Sequence, residues 1–201
     1  SGPRQATEKY ILLGQILISS IGGYAFAKLR FPFRDQVFFL FIIVMLMPYQ
    51  VTLVPNYIIL NKINLIGSHL AIILPGVFST FGVFLLRQFI KAIPDEYSES
   101  GRVDGAGHLR IFFRIIAPQC KGGIASLAIL GFIDNWNMVE QPLIFLKDNF
   151  KYPLSIFLSY INESDFSIAF ACGILYMIPA ILVFLYGEDY LIKGIQLSGI
   201  K

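Results

Sequence analysis

The sequence predicts an all-α integral membrane protein of about five transmembrane helices, and three observations lead there. Its 201 residues are 56% hydrophobic and 14% charged, with a mean hydropathy of +0.67, whereas a soluble domain is roughly 45–50% apolar and 25% charged. Nineteen Phe and ten Tyr beside a single Trp overfill a soluble core of this size but suit helices packed against lipid and one another. The apolar residues also gather into five stretches long enough to cross a hydrocarbon core, which takes about 20 helical residues.

Those stretches run near 11–29, 37–55, 69–90, 124–146 and 168–192. Pro48, Pro75, Pro142 and Pro179 lie within or near them. Helix-breaking residues persist in a membrane where neighbouring helices or a water-lined cavity satisfy the released backbone groups. The pattern predicts a bundle around a path rather than an inert anchor.

The distribution of Lys and Arg orients the bundle. Five spans put Lys28, Arg30, Arg34, Arg87, Lys91, Arg102, Arg110, Arg114, Lys121, Lys193 and Lys201 on one side, and Arg4, Lys9, Lys62, Lys147 and Lys151 on the other. The richer side is retained in the cytoplasm, so the 91–123 loop and the C-terminus are expected inside and the N-terminus outside. The start Ser-Gly-Pro-Arg-Gln carries no Met and no leading span, so either an upstream membrane segment is expected or Ser1 marks a processed or engineered start. No repeat, low-complexity tract or linker divides the chain, and one domain over 1–201 is expected.

The net charge of +3 points to no nucleic-acid partner; the partner that the composition implies is membrane lipid. Cys120 lies in a charged stretch and Cys172 in an apolar one, so both are read as free thiols. The predicted topology separates them and also separates His69 from His108, which leaves no metal site.

The 91–123 interval is the longest polar one and is punctuated as a helix. Pro94, Asp95 and Glu96 suit a helix start, because proline fits the first turn and carboxylates favour the positive dipole end. The helix is expected to run through about Val103 and to stop at Gly105 or Gly107. A second, amphipathic helix follows, with Leu109, Phe112, Phe113 and Ile116 on one face and Arg110 and Arg114 on another. Together they predict a rigid elbow at the membrane surface; composition alone is equally compatible with a solvated loop.

The run Glu99-Ser100-Gly101-Arg102-Val103-Asp104-Gly105-Ala106-Gly107, continuing through Phe112, Ile115 and Ala117-Pro118, resembles the cytoplasmic EAA motif of ABC importer permeases. Glu99, Asp104, Gly105, Ala106 and Pro118 match its pattern; Ser100 and Gly101 replace its two alanines, and Ala117 its usual leucine. Gly101 costs the helix about 1 kcal/mol relative to Ala. The stretch from Tyr24 to Pro32, Phe84-Leu85-Leu86-Arg87-Gln88-Phe89, Trp136-Asn137 and Pro142-Leu143 extend the resemblance to the maltose-permease G-subunit branch of carbohydrate-uptake permeases. The resemblance implies a five-helix ABC importer permease core without the family's additional first helix, and a cytoplasmic coupling helix that docks into an ATPase subunit. It further implies a second homologous permease subunit, an ABC ATPase dimer that binds ATP and Mg, an extracellular solute-binding protein, and a bacterial or archaeal cytoplasmic membrane. No cofactor is expected in this chain.

No Gly-x-x-x-x-Gly-Lys-Ser/Thr phosphate cradle occurs, so ATP hydrolysis is expected in another chain. Gly105-x-Gly107 is too short for a dinucleotide fingerprint. An intramembrane enzyme would have to draw on Asp134, Glu140 and His108, which the topology keeps apart. The expected solute is a sugar or oligosaccharide, the alternative another small polar solute.

Within the fourth stretch, Asp134-Asn135-Trp136-Asn137-Met138-Val139-Glu140-Gln141-Pro142 is a polar run in an apolar setting. A charge near the membrane centre costs about 2.5–3.5 kcal/mol and faces protein or water. Helical spacing puts Asp134, Asn137 and Gln141 on one face, and Trp136 offers a flat apolar surface to a sugar ring. Two readings stand: a lining of the substrate path, or helix packing with a kink at Pro142. Glu140 and Gln141 either adjust specificity or lie at the outer surface. Tyr49, Gln50, Asn56 and Tyr57 form a second group, as solute contacts or as interfacial anchors.

Overall fold

The computed structural model describes residues 3–148, 151–159 and 166–199. Within them the chain is helical: α1 Pro3–Lys28, α2 Arg34–Leu46, α3 Tyr49–Lys62, α4 Leu70–Gly76, α5 Thr80–Lys91, α6 Glu96–Val103 and α7 His108–Ile111. A π-helical turn, Phe112–Ile116, leads into α8 Ala117–Gln119, α9 Lys121–Trp136, α10 Glu140–Phe145, α11 Leu154–Ser159 and α12 Phe166–Gly199. Three segments, Thr7–Lys28, Leu70–Lys91 and Ser167–Leu191, are long and apolar enough to cross a membrane. Two bent pairs, Arg34–Leu46 with Tyr49–Lys62 and His108–Gln119 with Lys121–Trp136, bring the total to five if each pair is one span.

This is the expected all-α membrane architecture, with three departures from the expected spans, one of them in the third stretch, which divides into α4 and α5 where Ser79 turns extended at φ −117° and ψ 110°. The second stretch is not one helix: α2 ends at Leu46, and α3 begins at Tyr49 after Met47 and Pro48 turn extended, with ψ of 135° and 133°. Pro48 has no N–H to donate to a helical ladder. The fourth stretch does not run through Leu146 as a helix either. It stops at Trp136 and resumes as α10 after Val139, whose φ of −125° is non-helical.

The chain divides into two compact units, one formed by 1–14, 48–77 and 129–186, the other by 15–47, 78–128 and 187–201. In the first, Phe145 of α10 is fully buried against Leu53 and Leu60 of α3 and Ala71 of α4. A neighbouring cluster joins Ile11, Ile72, Leu146, Tyr152 and Ile156. The Gly67 N–H donates to the Phe145 carbonyl at 2.7 Å, closing the turn between α3 and α4 onto the end of α10.

In the second unit α1 packs on α5 through small residues. Ser19 and Gly23 are spaced as a small-xxx-small pair, the arrangement that lets membrane helices approach closely. A Cβ on Gly23 would stand 2.9 Å from the backbone nitrogen of Arg87. Helix α5 starts where Ser79 Oγ accepts from the Gly82 N–H at 2.9 Å, an N-cap that satisfies one orphan donor. Arg87 lies 3.8 Å over the Phe38 ring, and its Nε donates to the Phe26 carbonyl; Phe26, Phe38 and Val83 form the core beside it. The guanidinium is thus held by a ring face and a carbonyl within the bundle.

Candidate functional site

The elbow belongs wholly to the second unit. Helix α6 ends on Asp104, after which Gly105 adopts φ +75°. The Gly105 N–H then donates to the Arg102 carbonyl and the Ala106 N–H to the Gly101 carbonyl, each at 2.9 Å. These two bonds are the double cap of a glycine-terminated helix, and they satisfy carbonyls that the helix would otherwise leave unpaired. Gly107, at φ −71° and ψ 163°, sits in ordinary extended backbone, so of the two candidate stops Gly105 is the one used.

The inner face of α6 is set by Ser98 and Gly101, both buried. A Cβ on Gly101 would stand 2.9 Å from Ile115 Cδ1 and 3.1 Å from Ile111 Cγ1, so the glycine that weakens the helix also seats it against the segment that follows. Glu99, Ser100 and Asp104 are exposed, Ala106 is half-buried, and Pro118 is exposed in α8. Ser100 Oγ donates to the Tyr97 carbonyl at 3.1 Å. Val103 at the end of α6 is 88% exposed and Leu109 of α7 67% exposed, with Tyr97 and Phe113 also exposed on the elbow.

The second helix of the elbow departs from its expected face. Phe112 and Ile116 are buried, but Leu109 and Phe113 are exposed, and Ile111 is fully buried instead. A π-helical turn at Phe112–Ile116 winds wider than the 3.6-residue helix on which the expected face was drawn. The Phe112 ring packs 5.3 Å from that of Tyr24.

Lys28, at the end of α1, fastens the entry to α6. Its ammonium lies 2.6 Å from Asp95 Oδ1 and also donates to the Ile93 carbonyl, with the lysine side chain only 3% exposed. The hydrogen bond from Lys28, and then its charge, hold the Asp95 carboxyl below the usual carboxylate range. Beside this pair lies a cleft of about 790 Å³ lined by Lys28, Arg30, Arg34, Asp95, Glu99, Arg102 and His108.

The polar run falls in the first unit. The α9–α10 break interrupts the expected stripe of Asp134, Asn137 and Gln141: only Asp134 lies within α9, and Gln141 belongs to α10. Asp134 is exposed. Asn137, exposed as well, donates back to the Ile133 carbonyl at 2.9 Å. Gln141 has a buried Oε1 without a hydrogen-bond donor. Trp136 stacks on Phe132 with centroids 5.5 Å apart and on Tyr176 at 5.2 Å. Its Nε1–H donates to the Tyr176 carbonyl at 3.2 Å, and the Tyr176 hydroxyl donates to the Trp136 carbonyl at 2.6 Å.

Of the second candidate group, Gln50 Nε2 donates to Glu140 Oε1 at 2.9 Å, tying α3 to α10. His69 Nδ1 lies 2.9 Å from Thr7 Oγ1. Cys120 is buried and Cys172 half-buried, both as free thiols. Sequence reasoning passed over Glu8, Phe132 and Tyr176, and named Asn135 only as a member of the polar run. The first signal for Glu8 is in the sequence, a carboxylate near the start of an apolar helix; its neighbours are known only from the fold.

A family model described as binding-protein-dependent transport system inner membrane component matches residues 15–196. The arabinooligosaccharides transport system permease protein AraQ of Halalkalibacterium halodurans is 29% identical, over 95% of this chain and 70% of that protein; AraQ of Bacillus subtilis is 31% identical over 92% and 67%. The sn-glycerol-3-phosphate transport system permease protein UgpE of Yersinia pestis is 31% identical over 92% of this chain and 68% of that protein. A chain in the crystal structure of a bacterial ABC transporter involved in the import of the acidic polysaccharide alginate shares the fold, with a TM-score of 0.77 at 21% identity, over 93% of this chain and 74% of that one.

Proposed function

The chain belongs to the family of binding-protein-dependent transport system inner membrane components, and from that premise we propose that it is one permease subunit of an ATP-driven importer for a sugar or oligosaccharide. The observation that carries the coupling role is the elbow: a short helix seated through Ser98 and Gly101, stopped by the Gly105 cap, and ending on exposed Val103, with Leu109 exposed on the α7 turn that follows. A rigid helix with apolar groups at its end suits insertion into a partner's cleft, where it transmits a rigid-body movement. Glu99, Ser100, Gly101, Asp104, Gly105, Ala106 and Pro118 form this coupling element.

In this reading the partner is a dimer of ABC ATPases that holds ATP and Mg, and this chain performs no hydrolysis. The 91–123 loop and the C-terminus face the cytoplasm, in keeping with the Lys and Arg excess on that side. The whole of 1–201 acts as one permease domain beside a second, homologous permease and receives solute from an extracellular binding protein. Asp134, Trp136, Asn137 and Gln141 belong to the region of the path. The sugar assignment draws on AraQ, a permease for arabinooligosaccharides. Purification of the native complex followed by ATP-dependent uptake in proteoliposomes tests the reading. Recovery of the chain without any ATPase, and no ATP-driven uptake of any sugar, would remove it.

A further inference from the structure

Three apolar helices of the second unit bring one end each together: α1 ends on Lys28, α2 begins on Arg34 and α5 ends on Lys91. Arg34 donates to the Leu29 carbonyl at 3.3 Å, and Arg87 of α5 lies over the Phe38 ring of α2. Only residues 29–33 join α1 to α2. A turn of that length, which must go out and return, reaches about 10 Å at most. The headgroup layer outside the hydrocarbon is about 5–8 Å thick, so Arg30 and Arg34 stand at the level of lipid headgroups.

Cations outnumber carboxylates at this end. Asp95 is faced by Lys28, Arg30 and Arg102, Asp35 is faced by Arg34, Arg87 and Lys91, and Glu99 adds a third carboxylate. Several of the cations are already engaged: Lys28 with Asp95 at 2.6 Å, Arg34 with Asp35 at 3.1 Å, and Arg87 with a ring and a carbonyl. Arg30 and Arg102 are exposed and donate no hydrogen bond among the described residues. Both border the cleft of about 790 Å³ beside α6, a volume within the usual range for ligand sites, about 300–1,000 Å³. Two free guanidinium forks on one cleft suit the oxygens of a phosphate.

Aromatic rings stand beside these arginines. Phe31 borders the cleft, and with Phe33 it lines a second hollow of about 310 Å³ that Arg30 and Arg34 share. Phe33 is 72% exposed at φ 59° and ψ 17°, left-handed backbone that a bulky residue rarely takes. Guanidinium groups interleaved with exposed rings at the ends of apolar helices fit a lipid surface, with the rings at the acyl boundary and the charges at the phosphates. A carboxylate of a soluble partner would answer the arginines but not the rings.

We propose that this end of the second unit binds the headgroup of an anionic phospholipid, with its phosphate diester between Arg30 and Arg102 and its acyl boundary against Phe31 and Phe33. The lipid then bridges the α1–α2 turn to α6 beside the Lys28–Asp95 tie. The proposal needs only that the chain spans a membrane, so it stands or falls apart from the importer reading.

The test uses the complex purified with its native partners, in phosphatidylcholine nanodiscs carrying a trace of photoactivatable phosphatidylglycerol or photoactivatable phosphatidylcholine. Labelled peptides are mapped by mass spectrometry. The phosphatidylglycerol probe should label residues 28–36 and 99–108 in preference to α12, whose apolar length is exposed, and the phosphatidylcholine probe should show no such preference. Arg30→Gln and Arg102→Gln should each lower that labelling about fivefold, as loss of one cation at a membrane surface implies, and leave labelling of α12 unchanged. Equal labelling by the two probes, or labelling that survives both substitutions, would overturn the site. Loss of the labelling to inorganic phosphate, but not to chloride at equal ionic strength, would overturn it in favour of a free anion. Carbodiimide cross-linking of Arg30→Lys to carboxylates of a partner subunit, in place of lipid labelling, would overturn it in favour of a protein contact.

Discussion

Substitution at Gly105 separates backbone geometry from every other property of the elbow. At φ +75° the residue occupies the left-handed region, and an added Cβ would meet nothing within 4 Å, so the cost of a side chain is wholly conformational. For an ordinary L-residue that cost is about 1–2 kcal/mol, and a β-branched one is worse placed. Gly105→Val must either bear this strain or abandon the cap, losing the bonds to the Arg102 and Gly101 carbonyls, each worth about 0.5–1.5 kcal/mol net. A penalty of 1–2 kcal/mol lowers the ratio of capped to uncapped elbow by about 5–30-fold. Asn tolerates the left-handed region, so Gly105→Asn should fall between Val and wild type. Gly107, in extended backbone with open space around its Cβ position, should accept Ala without effect. The assay is retention of the ATPase during purification of the complex, with ATP-driven uptake measured in parallel. Expected retention runs Val below Asn below wild type, with Gly107→Ala equal to wild type. Wild-type retention and uptake by Gly105→Val would refute the coupling assignment; equal losses in Val and Asn variants would refute the conformational cause.

Gly23→Ala should destabilise the second unit by about 1–3 kcal/mol, the usual cost of overpacking, because its Cβ meets the Arg87 backbone rather than a movable side chain; thermal denaturation of the purified complex reads this, and an unchanged midpoint would contradict the close α1–α5 approach. In a background without Cys120 and Cys172, Lys62→Cys should react with an impermeant thiol reagent in intact cells and Arg110→Cys only after lysis, both positions being exposed; the reverse pattern would invert the topology. Because the Asp95 carboxyl is held below its ordinary range, its tie to Lys28 contributes above the unfolded carboxylate pKa of about 4 and is lost as pH falls through the lower, folded value. Protection of the α6 amides, taken relative to their intrinsic exchange at each pH, should therefore hold from neutrality to about pH 4 and fall below it, and Asp95→Asn should bring the lower protection to neutral pH; equal protection in the variant and wild type at pH 7 would show the tie to be idle. Asp134→Asn separates solute contact from assembly: altered transport affinity with normal complex yield supports the path, reduced yield supports helix pairing, and no change in either rejects both roles.

The membrane class, the five apolar stretches and the elbow were legible in the residues themselves, because each depends on local quantities. Apolar length decides whether a helix can cross lipid, and the order Pro94, Asp95, Glu96 to Gly105 marks a helix start and stop within a dozen residues. Even Gly105 was one of two named stops; only the dihedral angles excluded Gly107. Periodicity failed where the backbone left the regular helix. Around the π-turn at Phe112–Ile116 the buried face took Ile111 in place of Leu109 and Phe113, and the break after Trp136 divided a stripe that a continuous helix would have aligned. No sequence spacing joins Glu8 to Asn135 and Trp136, or Lys28 to Asp95 across 67 positions. Those meetings belong to the tertiary structure, since which side chains face each other across two helices is set by packing contacts between them, such as Gly23 on Arg87, and not by the phase of either helix alone.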